Sequence, residues 1–300
     1  MHFNHALTGR ERTMKKERLA FLGPEYTFGH IAAIGVAKRF LPNGFTGHLC
    51  KTNSAIIETV ASKQLNWGVV PVFNSLADVV IPSLDAICKT WQNGKPIYFY
   101  GEIILLIKHH LIGLPSVDLR KIKKIMSHPH AFSQCEQFLR EMEPFVRQET
   151  TSTAEGVRLV AEEKNPTTAA IGSQAAAEAY GLTILVEGIH SDPSNMTRFM
   201  LISNKGDHEL TGNDSTWITF TCANTPGSLW KTIAPLAEAG INMHAIHSRA
   251  TGPNSFRFSI GFDGHRQDPV VKDVLSAMAA CTQTLFILGS YPKDVTGGKF

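Results

Sequence analysis

Between residues 18 and 205, short apolar segments alternate with stretches of helical periodicity, and this rhythm restricts the fold more than any other sequence feature. The clearest run predicts strands at 124–127, 145–149 and 168–171, separated by helices at 131–142 and 153–163. Strands that alternate with helices of this length are typical of α/β domains, because each helix carries the chain back across the sheet. We therefore predict an α/β fold with largely parallel sheets.

The rhythm changes after a polar, glycine-containing segment at 206–214, which we interpret as a linker. Over the following residues, 215–295, the apolar pattern predicts the element order βαββαβ. That order is the ferredoxin-like split βαβ arrangement. The chain is thus predicted to contain a large domain over 18–205 and a small one over 215–295. An extension at 1–17 precedes them, with Met14 as a second candidate start.

Charge and hydropathy exclude several classes of partner. The net charge of +3 is spread along the chain, and its only tight basic group, at 120–124, is typical of a solvated helix face, so we predict no nucleic-acid partner. The longest apolar run, at 103–107, is far shorter than the roughly 20 residues of a membrane span, and nothing at the N-terminus resembles a secretory signal. The five cysteines are scattered without CxxC spacing, which predicts reduced thiols in a cytoplasmic protein.

Polar residues cluster where predicted strands end and helices begin. These clusters contain Thr27, Asn74 with Ser75, Ser127, and the segment 151–153. In open α/β sheets, ligands lie at the carboxyl ends of strands, where helix N-termini offer free N–H donors and a positive dipole end. The pattern therefore predicts a site for a small anion. His128, His130 and Cys135 lack an acidic partner at ligand spacing, so no metal site is predicted.

Several ordered motifs within this pattern resemble the signatures of one enzyme family, the prephenate dehydratases. In the large domain they are FLGPEYTF at 21–28, VVPVFNS at 69–75, SHPH at 127–130 followed by QC at 134–135, and NMTRF at 195–199. The small domain resembles the ACT domain of the same enzymes through PGSL at 226–229, HSR at 247–249, DGH at 263–265 and LGSYP at 288–292. The resemblance covers residues 18–292 in the family's order.

The resemblance implies a two-lobed catalytic domain of the periplasmic-binding-protein type and a regulatory ACT domain that senses phenylalanine. The expected lobes are 18–98 plus 183–205, and 99–182, with the substrate cleft between them. The implied reaction converts prephenate, a small dicarboxylate, to phenylpyruvate with loss of water and CO2 in L-phenylalanine biosynthesis, without cofactor or metal. Arogenate, which carries an amino group instead of the keto group, stays open as the substrate. The family also implies a homodimer or homotetramer.

Carried over residue by residue, the resemblance places two catalytic groups in the cleft. They are Thr197, expected to hydrogen-bond the departing ring hydroxyl, and Asn74. The expected substrate-binding residues are Thr27, Phe73, Ser75, Ser127, Gln134, Arg198 and Phe199. Phenylalanine is expected at the ACT residues Gly227, Ser228, Leu229, Ser248 and Arg249.

Phe73 stands where the family has a glutamate, and a phenyl ring cannot hold or relay a proton. We therefore keep two alternatives to dehydration. One is a prephenate decarboxylase-like enzyme of specialised metabolism that leaves the ring non-aromatic, and the other is a non-catalytic sensor that binds a carboxylate. The ACT loop departs as well, since HSRA at 247–250 replaces the family's ESRP.

Overall fold

The computed structural model describes residues 16–142 and 144–296, which form three β-sheets with their helices. The predicted extension at 1–17, including Met14, lies almost entirely outside the described residues. The predicted fold class is confirmed: a two-lobed α/β domain is followed by a C-terminal βαββαβ domain. Among the described helices, none is both long and apolar enough to cross a membrane.

The first lobe contains a six-stranded sheet. Its elements before the chain leaves the lobe are β1 (Glu17–Leu22), α1 (Phe28–Phe40), β2 (Phe45–Cys50), α2 (Asn53–Ala61), β3 (Trp67–Asn74), β4 (Asp78–Val79), α3 (Ile81–Gln92) and β5 (Tyr98–Leu106). Most of β3 is buried, because α1 covers one face of the sheet and α2 with α3 cover the other. Its near-continuous apolar sequence is typical of a strand covered on both faces.

The second lobe contains a five-stranded sheet. Its elements are β6 (His110–Gly113), a 3₁₀ turn (Leu119–Lys121), β7 (Lys124–Ser127), α4 (Pro129–Gln134), α5 (Glu136–Met142), β8 (Val146–Glu149), α6 (Thr153–Glu163), β9 (Thr168–Gly172), α7 (Gln174–Ala179) and β10 (Thr183–Val186). The strand order is β10-β6-β9-β7-β8. The chain then returns through β11 (Met196–Ser203), which completes the first sheet in the order β2-β1-β3-β11-β5, with β4 paired to β3.

Strand pairing corrects the predicted lobe boundaries at 98/99 and 182/183. β5 pairs along its length with β11 in the first sheet, whereas β10 pairs with β6 in the second. The lobes therefore exchange within 107–109 and 187–195. Both pairings are antiparallel, so each sheet is mixed rather than largely parallel. Among the described strands, the parallel pairs are β1 with β2 and β3, and β7 with β8 and β9. The β5–β11 pairing joins segments far apart in the chain, and local periodicity does not report it.

The C-terminal domain follows the predicted element order. Its elements are β12 (Asp214–Thr221), α8 (Ser228–Glu238), β13 (Met243–Gly252), β14 (Ser255–Asp263), α9 (Pro269–Ala280) and β15 (Thr284–Pro292). The sheet order is β13-β14-β12-β15, and both helices cover one face of it around Ile218, Ile260 and Met278. β12 begins at Asp214, at the end of the predicted linker.

The opposite face of this C-terminal sheet packs against the first lobe. Trp217 and Tyr291 are fully buried in the same apolar cluster as Phe99 of β5. At the centre of the contact, Gly289 has φ +147°, and a Cβ atom there would overlap the backbone of Phe99. The two backbones therefore approach more closely than any other residue type would allow. The C-terminal domain is thus packed into the core of the first lobe.

Candidate active site

A cleft of about 360 Å³ lies between the two lobes, where β3 ends and β11 begins. Asn74 and Thr197 sit opposite each other in this antiparallel strand pair, and both side chains reach the cleft. The polar or aromatic side chains that line it are Thr27, Phe28, Lys51, Asn74, Thr197 and Phe199 of the first lobe, and His109, His128, His130, Gln134 and Thr151–Thr153 of the second. The structure thus brings together five of the predicted site residues, namely Thr27, Asn74, Gln134, Thr197 and Phe199.

Asn74 organises the floor of the cleft. Its amide nitrogen donates to Thr197 Oγ1 at 2.9 Å, to Asn195 Oδ1 at 2.8 Å and to the Met196 carbonyl at 3.0 Å. Its amide oxygen accepts from backbone N–H groups of the turn that follows β3. Because the Thr197 oxygen accepts from Asn74, the hydroxyl proton of Thr197 is left to donate elsewhere. Thr197 lines the cleft, so its hydroxyl can donate a hydrogen bond to a ligand there.

Gln134 is held by a buried histidine. His109 Nε2 lies 2.8 Å from Gln134 Oε1, and His109 is 3% exposed. Burial lowers the pKa of His109 to about 4, although the hydrogen bond to Gln134 acts in the opposite direction. The imidazole is therefore neutral at pH 7, and the amide oxygen of Gln134 assigns its proton to Nε2. This arrangement leaves the NH2 group of Gln134 as a donor for a ligand.

Helix N-termini add to the positive potential of the cleft. Thr27 caps α1, since its Oγ1 accepts from His30 N at 3.3 Å, and Ser152 caps α6, since its Oγ accepts from Glu155 N at 3.1 Å. Both helix starts line the cleft. The first-turn N–H groups and the macrodipole of each helix favour a negative charge there. Lys51 also lines the cleft and contributes a formal positive charge, so the cleft suits an anionic ligand.

Ser75 and Ser127 were predicted to bind substrate, but the structure places both outside the cleft lining. The Ser127 side chain is fully buried, and its hydroxyl donates to the Ile171 carbonyl at 2.8 Å, which joins β7 to β9. Ser75 Oγ accepts from Met196 N at 3.0 Å and donates to the Ser194 carbonyl at 3.4 Å. Both hydroxyls therefore form hydrogen bonds with backbone groups. Their partners lie on neighbouring strands and loops, so the local motif does not indicate these bonds.

Phe73 and Arg198 were also predicted to bind substrate, and the structure places both on the opposite face of the sheet. Phe73 packs against the apolar cluster shared with the C-terminal domain, with its ring 6.3 Å from the ring of His247. Arg198 Nε lies 3.4 Å from Glu102 Oε2. The physical reason is strand geometry, because consecutive side chains of a strand point to opposite faces. Asn74 and Thr197 face the cleft, so their neighbours face away from it.

Comparison with known families agrees with this geometry. Residues 19–207 match the family described as prephenate dehydratase, and residues 216–279 match the ACT domain. The chain belongs to the prephenate dehydratase family.

Named members of the prephenate dehydratase family resemble the chain over nearly all its length. A bifunctional chorismate mutase/prephenate dehydratase of Stutzerimonas stutzeri is 36% identical over 283 residues, covering 93% of this chain and 74% of that protein. A prephenate dehydratase of Mycolicibacterium gilvum is 31% identical over 291 residues, covering 93% and 92%. The solved prephenate dehydratase of Arthrobacter aurescens in complex with L-Phe is 32% identical with a TM-score of 0.79, covering 92% of this chain and 90% of that one.

Two of the predicted effector residues of this prephenate dehydratase family member lie at the junction of its domains. Ser248 and Arg249 of β13 line a cavity of about 540 Å³, whose other wall is β4 and the start of α3. Arg249 Nη2 lies 3.3 Å from Asp85 Oδ2 of the first lobe. Gly227, Ser228 and Leu229 lie at the start of α8, where Gly227 adopts φ +81° as the N-cap residue.

Two cleft residues, His109 and Lys51, lie outside the family motifs and were not predicted. His109 lies between β5 and β6, flanked by Lys108 and His110, and nothing local indicates its bond to Gln134. Lys51 had a detectable signal, because it lies directly after β2 and before Thr52, the N-cap of α2. The strand β2 itself was not predicted, since only Cys50 at its end is fully buried and its pattern does not alternate. Because β2 was not predicted, the strand end that precedes Lys51 was not predicted either.

Proposed function

We propose that this protein is a prephenate dehydratase that converts prephenate to phenylpyruvate, water and CO2 in L-phenylalanine biosynthesis. The observation that carries the proposal is the Asn74–Thr197 hydrogen bond at 2.9 Å on the floor of an electropositive cleft. Family membership over both domains supports it. Family membership and site geometry therefore both indicate a carbon–oxygen lyase that acts on a small dicarboxylate.

The proposed chemistry needs little beyond orientation and one hydrogen bond. The bond between the ring carbon and its carboxylate breaks to release CO2, and its electrons form a ring double bond. The C–O bond on the opposite ring carbon breaks, and the departing hydroxide takes up one proton from solvent to become water. Thr197 donates a hydrogen bond to this oxygen as negative charge develops on it, which is where a positioned donor lowers a barrier. Gln134, Lys51 and the helix N-termini hold the carboxylates, and aromatisation drives the reaction.

Phe73 no longer supports the alternative of a non-aromatising decarboxylase. That alternative was motivated by the loss of a carboxyl group from the cleft, but the Phe73 side chain packs on the far face of the sheet. The non-catalytic sensor was motivated by the same change. With Thr197, Asn74 and Gln134 assembled around one cleft, dehydration is the function that the geometry favours.

Regulation by phenylalanine belongs to the same proposal. The related Arthrobacter aurescens structure is a complex with L-Phe, and this chain has the ACT domain. We place the effector at Gly227, Ser228, Leu229, Ser248 and Arg249. A homodimer or homotetramer in the cytoplasm completes the proposal. Its support is that β13 is an edge strand of its sheet and carries Ile246, which is 45% exposed, and that all five cysteines are free thiols.

One assay separates the three functions. Purified protein is incubated with prephenate, and the product is identified by NMR and mass spectrometry. Phenylpyruvate is the expected product, and its formation is expected to fall when phenylalanine is added. A decarboxylated, non-aromatic keto acid would contradict dehydration in favour of the second function. Unchanged prephenate with measurable binding would favour the sensor.

A further inference from the structure

Lys51 is the one Lys or Arg side chain that lines the cleft within the described residues. It is exposed and follows the last residue of β2 on the first lobe. The same cleft is lined by the segment Thr151–Thr153 of the second lobe, at the start of α6. Within 16–142 and 144–296, no acidic side chain forms an ion pair with Lys51. Its ammonium group is therefore available to a ligand in the cleft.

The described lining of the cleft contains no Asp or Glu. Glu155, in the first turn of α6, accepts from the N–H and hydroxyl of Thr151 and lies 3.9 Å from Arg158, so its carboxylate is already engaged. His109 is neutral, so it adds no charge to the cleft. The cleft thus provides a cation and N–H donors for carboxylates, but no carboxylate for a ligand ammonium.

We propose that Lys51 is a specificity-determining residue, which binds a substrate carboxylate and disfavours substrates that carry an α-ammonium group. This inference rests on the proposed function, and it selects prephenate over arogenate. A carboxylate that pairs with Lys51 lies in a cleft whose lining also includes the polar segment Thr151–Thr153 of the second lobe.

Discrimination follows from the difference between the two substrates. Prephenate presents a keto oxygen beside its side-chain carboxylate, and arogenate presents an ammonium group at the same carbon. An ammonium that loses water in this cleft finds no acidic partner among the described lining residues, and desolvation without a partner is costly. The like charge of Lys51 adds repulsion. Prephenate has no ammonium group, so it incurs neither the desolvation cost nor the repulsion from Lys51.

The test compares Lys51→Met with Lys38→Met. Lys38 is an exposed lysine in the last turn of α1, about 15 Å along the helix axis from the end that lines the cleft. Steady-state kinetics are measured with prephenate and arogenate, and prephenate binding is measured by calorimetry. For Lys51→Met we expect kcat/KM for prephenate to fall about 10- to 100-fold, mainly through KM, as for a lost charge-assisted hydrogen bond. The arogenate value should fall less, so the preference ratio shrinks. Lys38→Met should change neither value.

Two further variants keep the result interpretable. Lys51→Arg keeps the charge and should restore most of the prephenate affinity, whereas Lys51→Glu should lower the preference ratio below that of Lys51→Met. A KM for prephenate within twofold of wild type in Lys51→Met, or an unchanged preference ratio, would overturn the inference while leaving the proposed function intact. Prephenate binding by the wild-type protein without turnover would instead contradict the proposed function. Calorimetry on the same variants would then decide the role of Lys51.

Discussion

The two faces of the β3–β11 strand pair differ in what covers them. On the cleft face, Thr197 and Gln134 retain donor groups that no described protein atom accepts. On the far face, Glu102 is 4% exposed and accepts from Tyr291 Oη at 3.3 Å and Asp294 N at 2.9 Å, with Arg198 beside it. One face is left open for a ligand, and the other is closed by the C-terminal domain. Residues adjacent in sequence therefore line the cleft and pack against the C-terminal domain separately.

Arg198→Met should give the largest effect, on the far face. The change leaves Glu102 buried without its cation, and breaking a buried ion pair costs several kcal/mol. Because the Arg198 side chain is 23% exposed, we expect a loss of about 2–3 kcal/mol in the free energy of unfolding, measured by denaturant titration. Arg120→Met is the matched control, since it breaks an exposed pair with Asp118 and should destabilise the protein much less. Equal losses in the two variants would contradict the buried pair.

His109→Gln tests the cleft face through pH. The folded-state pKa of His109 is about 4, below its usual 6.5, so the unfolded chain binds its proton first as pH falls. The stability associated with neutral His109 is present above pH 6.5 and is lost toward pH 4, on the order of 2–3 kcal/mol. Thermal unfolding between pH 4 and 7 should show a shallower slope in His109→Gln than in wild type or a His48→Gln control. An unchanged slope would show that His109 is not the group that titrates.

Thr197→Val removes the donor hydroxyl from the cleft while preserving side-chain shape. We expect a loss of about 1–3 kcal/mol of transition-state stabilisation, seen as a lower kcat, typical of one polar contact. Thr197→Ser keeps the hydroxyl and should keep most of the activity. Stability should change much less than in Arg198→Met, because Thr197 forms a single hydrogen bond to Asn74. A kcat equal to that of wild type would remove Thr197 from the mechanism.

Phe73→Glu should give the smallest effect on activity. The side chain at this position faces the C-terminal domain, so a carboxyl group there would not enter the cleft. We expect kcat/KM within about threefold of wild type, because no transition-state contact is gained or lost. Phe73→Leu serves as the apolar control. A large gain in dehydratase activity specific to Phe73→Glu would mean that this carboxyl group does reach the substrate.

The sequence predicted the domain order and the position of the cleft well. It predicted less well which residues of each motif face that cleft. Asn74 lies at the end of β3 and Thr27 at the start of α1, which local patterns report, whereas Thr197 and Gln134 were predicted from the family motifs. The strand period of two already places Phe73 and Arg198 on the other face once Asn74 and Thr197 are assigned to the cleft.

Other features depend on distant pairings that no local pattern encodes. The Ser127 hydroxyl is consumed by the Ile171 carbonyl only because β7 pairs with β9. The lobe boundaries likewise depend on β5 pairing with β11. Neither follows from the periodicity of the segments themselves.

Gly289 has a consequence for recombining this protein with its relatives. Because any side chain at this position would push β15 away from Phe99, an exchanged C-terminal domain must bring glycine at the same register to seat on the first lobe. A chimera that lacks it would retain two intact halves with a gap between them. Shuffling experiments should therefore treat the residues around 289 and 99 as a single inherited unit, whatever crossover point is chosen in the linker.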